Sequence, residues 1–340
     1  MDPQPHPVTK SEYTLHKHGR PFTTHHRIYF EHLPSHTPIS PVHDIPLLHH
    51  RDHPNKIYNM VVEIPRWSNP KFEISLATPF NPIIQDTLPF SPPTTPPLNS
   101  SPSHSESKSH LRFQPSIHPF TGTPFNYGAL PQTWEDPFHA DPLAGIRGDN
   151  DPLDACEVGR RISYTGEVKR VKVLGVLGLV DQGEMDWKVV VVDVEDEMAG
   201  RVEGVEDLEG EMPGLLDGIR DWFRIYKIPD GGEANDYAFG GEFKGREFAE
   251  QVIEHCHRSW RELVMGEVKH AEASLKNTTL IGTPGKMDPD DVDFPAREDL
   301  SPAPIEADLD VWHFIDRDKL KSGLADSLEQ SKLKIDLQLK

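Results

Sequence analysis

The string GDNDPLDACEVG at residues 148–159 concentrates the chemistry of this chain. Asp149 and Asp151 are two residues apart, and Asp154 follows across a Pro-Leu step. If 149–151 is extended, the two carboxylates share a face, and Pro152 can turn the chain to bring Asp154 round. Three carboxylates within six residues repel one another unless hard cations sit among them. The spacing is not that of an EF-hand, because Leu153 and Asp154 occupy the fifth position and the place of the required glycine. Taken alone, the string reads equally as a metal site and as an acidic surface turn.

A second cluster, LVDQGEMDWK at 179–188, sets Asp181 and Asp186 on either side of a turn and Lys188 on the strand that follows. Residues 181–221 hold 14 acids and three basic residues, so part of this acidity is solvated surface. Both clusters abut strands, where carboxylates can be held rigidly. Lys71, Arg112, Tyr127, Lys188, Tyr226 and Lys227 each stand in or beside a short strand or an aromatic turn. Singly each reads as ordinary surface; together, in an acidic chain, they are candidate contacts for an oxyanion. Carboxylates combined with Arg, Lys and Tyr suggest a phosphate substrate bridged by metal. Divalent ions would neutralise phosphate oxygens and acidify a bridging water, an aspartate would take its proton, and Arg and Lys would stabilise the leaving phosphate. Competing machinery is missing: the chain has no GxxxxGK[ST], GxSxG, HExxH or CxxC.

Short strands must position these groups. IYNMVVEI at 57–64 is strand-like and stops at Pro65, and KFEISL at 71–76 alternates, so the two read as a hairpin around PRWSNP with Lys71 and Glu73 on one face. RIYF at 27–30 is a further short strand. Residues 111–147 are aromatic and rich in Gly and Pro, which makes turns. The stretch 162–194 is β-rich and ends in the apolar strand WKVVVVDV. Several short strands with turns between them favour a barrel over a doubly wound sheet. Leu215, Ile219 and Trp222 predict a short helix leading into a strand at 223–228. Phe248, Val252, Cys256, Trp260 and Leu263 form the apolar stripe of a helix over 246–264. His255, Cys256 and His257 look metallic, but adjacent helical residues diverge by about 100°.

Composition bounds the rest. The 340 residues are 36% hydrophobic and include 33 prolines, which predicts a folded core plus much irregular sequence. The net charge of -20 argues against broad binding to a nucleic-acid backbone. Two cysteines exclude a disulfide scaffold, and no apolar run is long enough for a membrane helix. The opening MDPQPHPVTKSEY has neither a secretory apolar region nor an Arg-rich presequence, so a cytoplasmic protein is expected. Residues 1–55 carry 11 of the 19 histidines without fixed ligand spacing and read as compositional bias. Residues 87–110 are Pro- and Ser-rich, an insertion between folded regions. Beyond 265 the chain is mostly irregular, with an apolar patch at 311–315 that could dock on the body.

Seven strings occur in the order found in one family: NMVVEIPRWSNPKFEI, NPIIQDT, LRF, NYGALPQTWEDP, GDNDPLDACEVG, DQGEMDWKVVVVDV and PGLLDGIRDWFRIYKIPDG. Through them the chain resembles the soluble, Mg-dependent inorganic pyrophosphatases of eukaryotic type, over roughly residues 40–265. The resemblance implies a mainly β fold, an OB-like five-stranded barrel with flanking helices, usually a homodimer. It implies that inorganic diphosphate is hydrolysed to two phosphates with several Mg2+ ions. It implies a catalytic domain at 41–265, a divergent extension at 1–40 and an irregular segment at 266–340. Among site residues, it implies metal carboxylates at Asp149, Asp154, Asp186, Asp181 and Glu73. Asp151 would help activate the water, with Glu63 as a further active-site acid and Tyr127 as a further catalytic group. Lys71, Arg112, Tyr127, Lys188, Tyr226 and Lys227 would hold phosphate. The chain departs from the family in the turn before NYG, where Thr121 and Thr123 replace a histidine and a tyrosine. Gln182 replaces an acid. These departures suggest a diverged paralogue and leave a weak enzyme or an inactive scaffold or binding protein as the alternative. They also predict a wider, wetter pocket at Thr123.

Overall fold

Five strands pair edge to edge until the last meets the first. They are β3 (Ile57–Ile64), β6 (Asn126–Ala129), β7 (Asp154–Glu157), β8 (Val168–Asp181) and β9 (Glu184–Asp193). In this computed structural model, which describes residues 12–50, 56–88, 110–270, 272–305 and 311–316, β3 pairs with β6 and β6 with β7, both antiparallel. β7 runs parallel to β9, β9 pairs antiparallel with β8, and β8 returns antiparallel to β3, so the barrel is closed. Closure leaves these strands no free edge along the ring. The β8–β9 hairpin turns through Gln182 (φ 52°) and Gly183 (φ 90°), the left-handed pair that a two-residue hairpin loop requires. Where β6 crosses β3, a Cβ on Gly128 would lie 2.0 Å from the Val61 carbonyl oxygen, so only glycine permits the approach.

Alternation along the strands sorts their side chains. Tyr58, Met60 and Val62 of β3 join Trp187, Val189 and Val191 of β9 in one buried cluster. Helix α3 (Arg246–Val264) covers that cluster with Ala249, Val252, Ile253 and Cys256. The predicted stripe is present, except that Phe248 lies at its half-buried margin. Val190 and Val192 of β9 belong to a second cluster, roofed by α1 (Val205–Glu211) and α2 (Leu215–Ile225). Each fully buried aliphatic or aromatic side chain contributes about 1.5–3 kcal/mol.

Two sequence expectations are corrected. The strand expected at 223–228 is absent: α2 continues through Ile225, and a 3-10 turn follows at Ile228–Asp230. Phe223 and Ile225 continue the buried face of α2, and amphipathic packing outweighs their β preference. Residues 57–64 and 71–76 do not form a hairpin. β4 (Phe72–Ile74) pairs with β5 (Ile83–Gln85) in a separate sheet, which extends through β2 (Arg27–His32) to β1 (Tyr13–His18). The connecting turn is diverted, because Trp67 (φ 65°) donates its backbone N–H to the Thr123 carbonyl.

At the base of the Pro/Ser-rich segment, Thr87–Leu88 pairs antiparallel with His110–Leu111; residues 89–109 lie outside the described residues. Trp312–His313 adds a short parallel pairing to Ser116–Ile117, and Ile315 packs against the second core cluster. Among the described residues, no helix is long and apolar enough to cross a membrane.

Candidate active site

The register of β7 against β9 sets Asp154 directly beside Lys188. Because strand side chains alternate, Asp186 and Lys188 leave β9 on the face opposite Trp187 and Val189. The Lys188 Nζ lies 2.5 Å from Asp154 Oδ2 and 2.9 Å from Tyr127 Oη, and it also contacts Asp186 Oδ1. The Tyr127 hydroxyl donates to Asp154 Oδ2. Burial alone would lower the Lys188 pKa, but Asp154 and Asp186 outweigh it and hold the ammonium well above its ordinary value.

A second group meets where β4 and β5 enter the site. Lys71 contacts Glu73 and lies 3.5 Å from Asp86 Oδ2, while an Arg112 guanidinium nitrogen donates to the same oxygen at 3.0 Å. Backbone bonds from Asp86 N to Lys71 O and from Arg112 N to Asp86 O hold the three together. Asp86 was not among the sequence candidates, although it stands in the string NPIIQDT. At the end of β8, Asp181 Oδ2 accepts from Tyr226 Oη at 3.2 Å and from Lys227. Both donors leave the C-terminal end of α2, whose last carbonyls are capped by Asn235. Glu63 on β3 is buried and accepts the Ile74 N–H at 2.7 Å.

Carboxylates crowd the centre. Oxygens of Glu135, Asp149 and Asp186 lie within 4.8 Å of one another, a separation one cation can bridge. Glu135 was missed by sequence reasoning, because it sits in the aperiodic run TWEDP; that string offered one acid beside a tryptophan and little else. Its Oε1 accepts the Trp187 N–H at 3.0 Å, and its buried Oε2 has no hydrogen-bond partner, like Oδ1 of Asp181. Burial, then neighbouring carboxylates, raise Glu63, Glu135, Asp149 and Asp186 well above the ordinary carboxylate range. Asp151 is exposed at the mouth but crowded by protein on its inner side. That desolvation and then Glu73 push it up to about 7, against the pull of Lys71. Orphaned oxygens and acids that resist ionisation are the marks of a site built for added positive charge. The all-oxygen donor set suits a hard divalent ion, so the residues fit the metal that the sequence implies.

All sequence-derived candidates therefore fall in one electrostatically connected cluster. One expectation is revised. Thr123 is fully buried and its hydroxyl has no protein partner, so its side chain is packed within the turn rather than lining the wider pocket expected there. His255, Cys256 and His257 do diverge: His255 lies 3.8 Å from Asp141, Cys256 is in the core, and His257 bonds the Gln132 carbonyl. Among the described residues, no histidine belongs to a metal-sized cluster.

The closed barrel bearing carboxylates beside lysine, arginine and tyrosine on its outer face defines a metal-dependent phosphate enzyme. Comparison with known proteins gives the family. The sequence model of the inorganic pyrophosphatases matches residues 60–261. The inorganic pyrophosphatase of Neurospora crassa is 44% identical over 306 residues, 90% of this chain and 98% of its own length. That of Emericella nidulans is 45% identical over 304 residues, 89% and 98% of the two chains. The solved inorganic pyrophosphatase of Schistosoma japonicum superposes with a TM-score of 0.74 at 36% identity, covering 89% of this chain and 100% of that one. A truncated vacuolar soluble pyrophosphatase of Trypanosoma cruzi, solved in complex with PPi, gives 0.63 at 36% identity over 76% and 93%. The chain belongs to the inorganic pyrophosphatase family.

Proposed function

We propose that this cluster hydrolyses inorganic diphosphate to two phosphates, with the chemistry carried by residues 41–265. The observation that carries the reading is the Glu135, Asp149 and Asp186 oxygen group, whose Asp186 shares the buried Lys188 with Asp154. Asp149, Asp154 and Asp186 hold the principal metal, with Glu135 beside them; Asp181 and Glu73 contribute to further ions. When bound, the divalent ions supply charge neutralisation on phosphate oxygens and a more acidic water.

The chain's own residues do the rest. Lys71, Arg112, Lys188, Tyr127, Tyr226 and Lys227 exchange carboxylate partners for phosphate oxygens and so hold the substrate in line. Asp151, at the mouth of the cluster, takes a proton from the attacking water, and Glu63 orders water behind it. The water oxygen bonds to one phosphorus as the bond between that phosphorus and the bridging oxygen breaks, and the bridging oxygen leaves on the second phosphate with the electron pair of the broken bond. Arg112, Lys188 and Lys227 stabilise that developing charge. Two finer points rest on the family resemblance, Mg2+ as the ion and a homodimer as the assembly; the cytoplasm as the compartment rests on the character of the opening residues.

Phosphate release from inorganic diphosphate, measured with and without Mg2+, tests the reading. Strong Mg2+-dependent release is expected. A folded protein giving no release above background would overturn it.

A further inference from the structure

The GDND loop is held from behind by a residue that follows α3. Asn150, between Asp149 and Asp151, has φ 77°, in the left-handed region that asparagine tolerates better than most non-glycine residues. Its backbone N–H donates to the Glu135 carbonyl at 3.0 Å, and the Glu135 N–H donates to the Asp151 carbonyl at 2.9 Å. This two-bond link ties the loop to the residue whose carboxylate completes the oxygen group with Asp149 and Asp186. The Asn150 side chain is gripped separately. Its Oδ1 accepts from Trp134 Nε1 at 3.1 Å and from His270 Nε2 at 2.7 Å. Two donors occupy both lone pairs of the amide oxygen, which fixes the amide plane. The His270 Nδ1 accepts the Glu272 N–H at 3.3 Å, so the ring carries its hydrogen on Nε2, as the bond to Asn150 requires. Contacts with Trp134 and Phe138, at ring-centroid separations of 6.0 and 5.5 Å, keep the imidazole in place.

His270 belongs to none of the seven strings and lies outside the matched region 60–261. We propose that His270 is a positioning residue for the metal loop: by holding the Asn150 amide it fixes the separation of Asp149 and Asp151, and thereby tunes divalent-cation affinity. The inference rests on the metal-centre reading above. Groups behind metal ligands typically change affinity about 10–100-fold when removed. His270 touches no ligand directly, so the lower end applies.

The test uses the full chain with His270→Ala and His270→Gln; the amide nitrogen of glutamine can reproduce the Nε2–H. Mg2+ binding is measured by calorimetry without substrate, beside metal-free melting and Mg2+ titration of phosphate release. H270A is expected to bind Mg2+ about tenfold more weakly, with kcat at saturating Mg2+ falling much less than affinity and with metal-free melting near that of the parent. H270Q should recover most of the affinity. A folded H270A with parental Mg2+ affinity overturns the proposal alone. Equal loss of melting temperature and affinity in both variants also overturns it, making the residue merely structural. No Mg2+ binding by the parent chain overturns the metal-centre reading and this proposal together.

Discussion

Lys188 and Asp154 stand opposite each other in the one parallel pairing of the barrel, with Nζ 2.5 Å from Oδ2. Asp186 shares the same ammonium from two residues away on β9. A buried lysine between two carboxylates balances their charge, and under the proposed function it turns to phosphate when metal takes over that role. Lys188→Met should therefore separate two properties. Phosphate release should fall on the order of 10²–10³-fold, as for loss of one preorganised donor. Mg2+ affinity should stay level or rise, because a competing cation has gone. Calorimetry beside initial rates checks this; equal loss of both would make Lys188 a scaffold element.

Asp151 and Asp154 differ in setting and should differ in effect. Asp151 is at the exposed mouth, whereas Asp154 is buried and bonded by both Tyr127 and Lys188. Asp151→Asn should lose most of the rate while Mg2+ binding survives. Asp154→Asn should weaken Mg2+ binding itself, since a hard-cation site loses charge. Mg2+ titrations of the two variants are expected to diverge.

The raised carboxylates make the metal-free protein sensitive to alkali. An acid whose pKa is higher folded than unfolded binds its proton preferentially in the folded state. For Asp151 the stabilising contribution is complete below its ordinary value of 3.8 and is lost as pH rises through about 7. Glu63, Glu135, Asp149 and Asp186 act in the same direction. With EDTA, the melting temperature should fall between about pH 5.5 and pH 8, and added Mg2+ should raise it more at the higher pH. A Mg2+ increment that does not grow with pH would contradict the site.

Thr123 carries a buried hydroxyl with no partner. Leaving such a group unsatisfied costs about 1–3 kcal/mol, so Thr123→Val should be neutral or stabilising by up to about 1 kcal/mol. A clear drop in denaturant midpoint would show that the hydroxyl is bonded, for example to water.

The Thr87–Leu88 and His110–Leu111 ladder already brings the ends of the Pro/Ser-rich segment together. Replacing residues 89–108 by a short Gly/Ser link should keep fold and activity, because loop length costs only about 0.6 kcal/mol per doubling. Soluble yield and phosphate release are the measurements; loss of soluble protein would mean the segment packs on the body.

The sequence by itself determined the chemistry and the local elements. Acid, base and phenol stand in strings short enough to read, the β8–β9 hairpin carries its turn in Gln182–Gly183, and the apolar stripe of α3 repeats at helical period. These are legible because periodicity and turn chemistry act over a few residues. Only the tertiary structure decided which strand meets which. β3 and β4 are close in sequence yet lie in different sheets, because the turn at Trp67 is captured by Thr123, 56 positions away by number. Tertiary packing also turned 223–225 from strand to helix. It brought in Glu135, Asp86 and His270, whose runs have no period to announce them and whose roles arise from partners distant along the chain. The Lys188 and Asp154 pair belongs to the same class: each residue was visible alone, but their adjacency follows from closing the barrel.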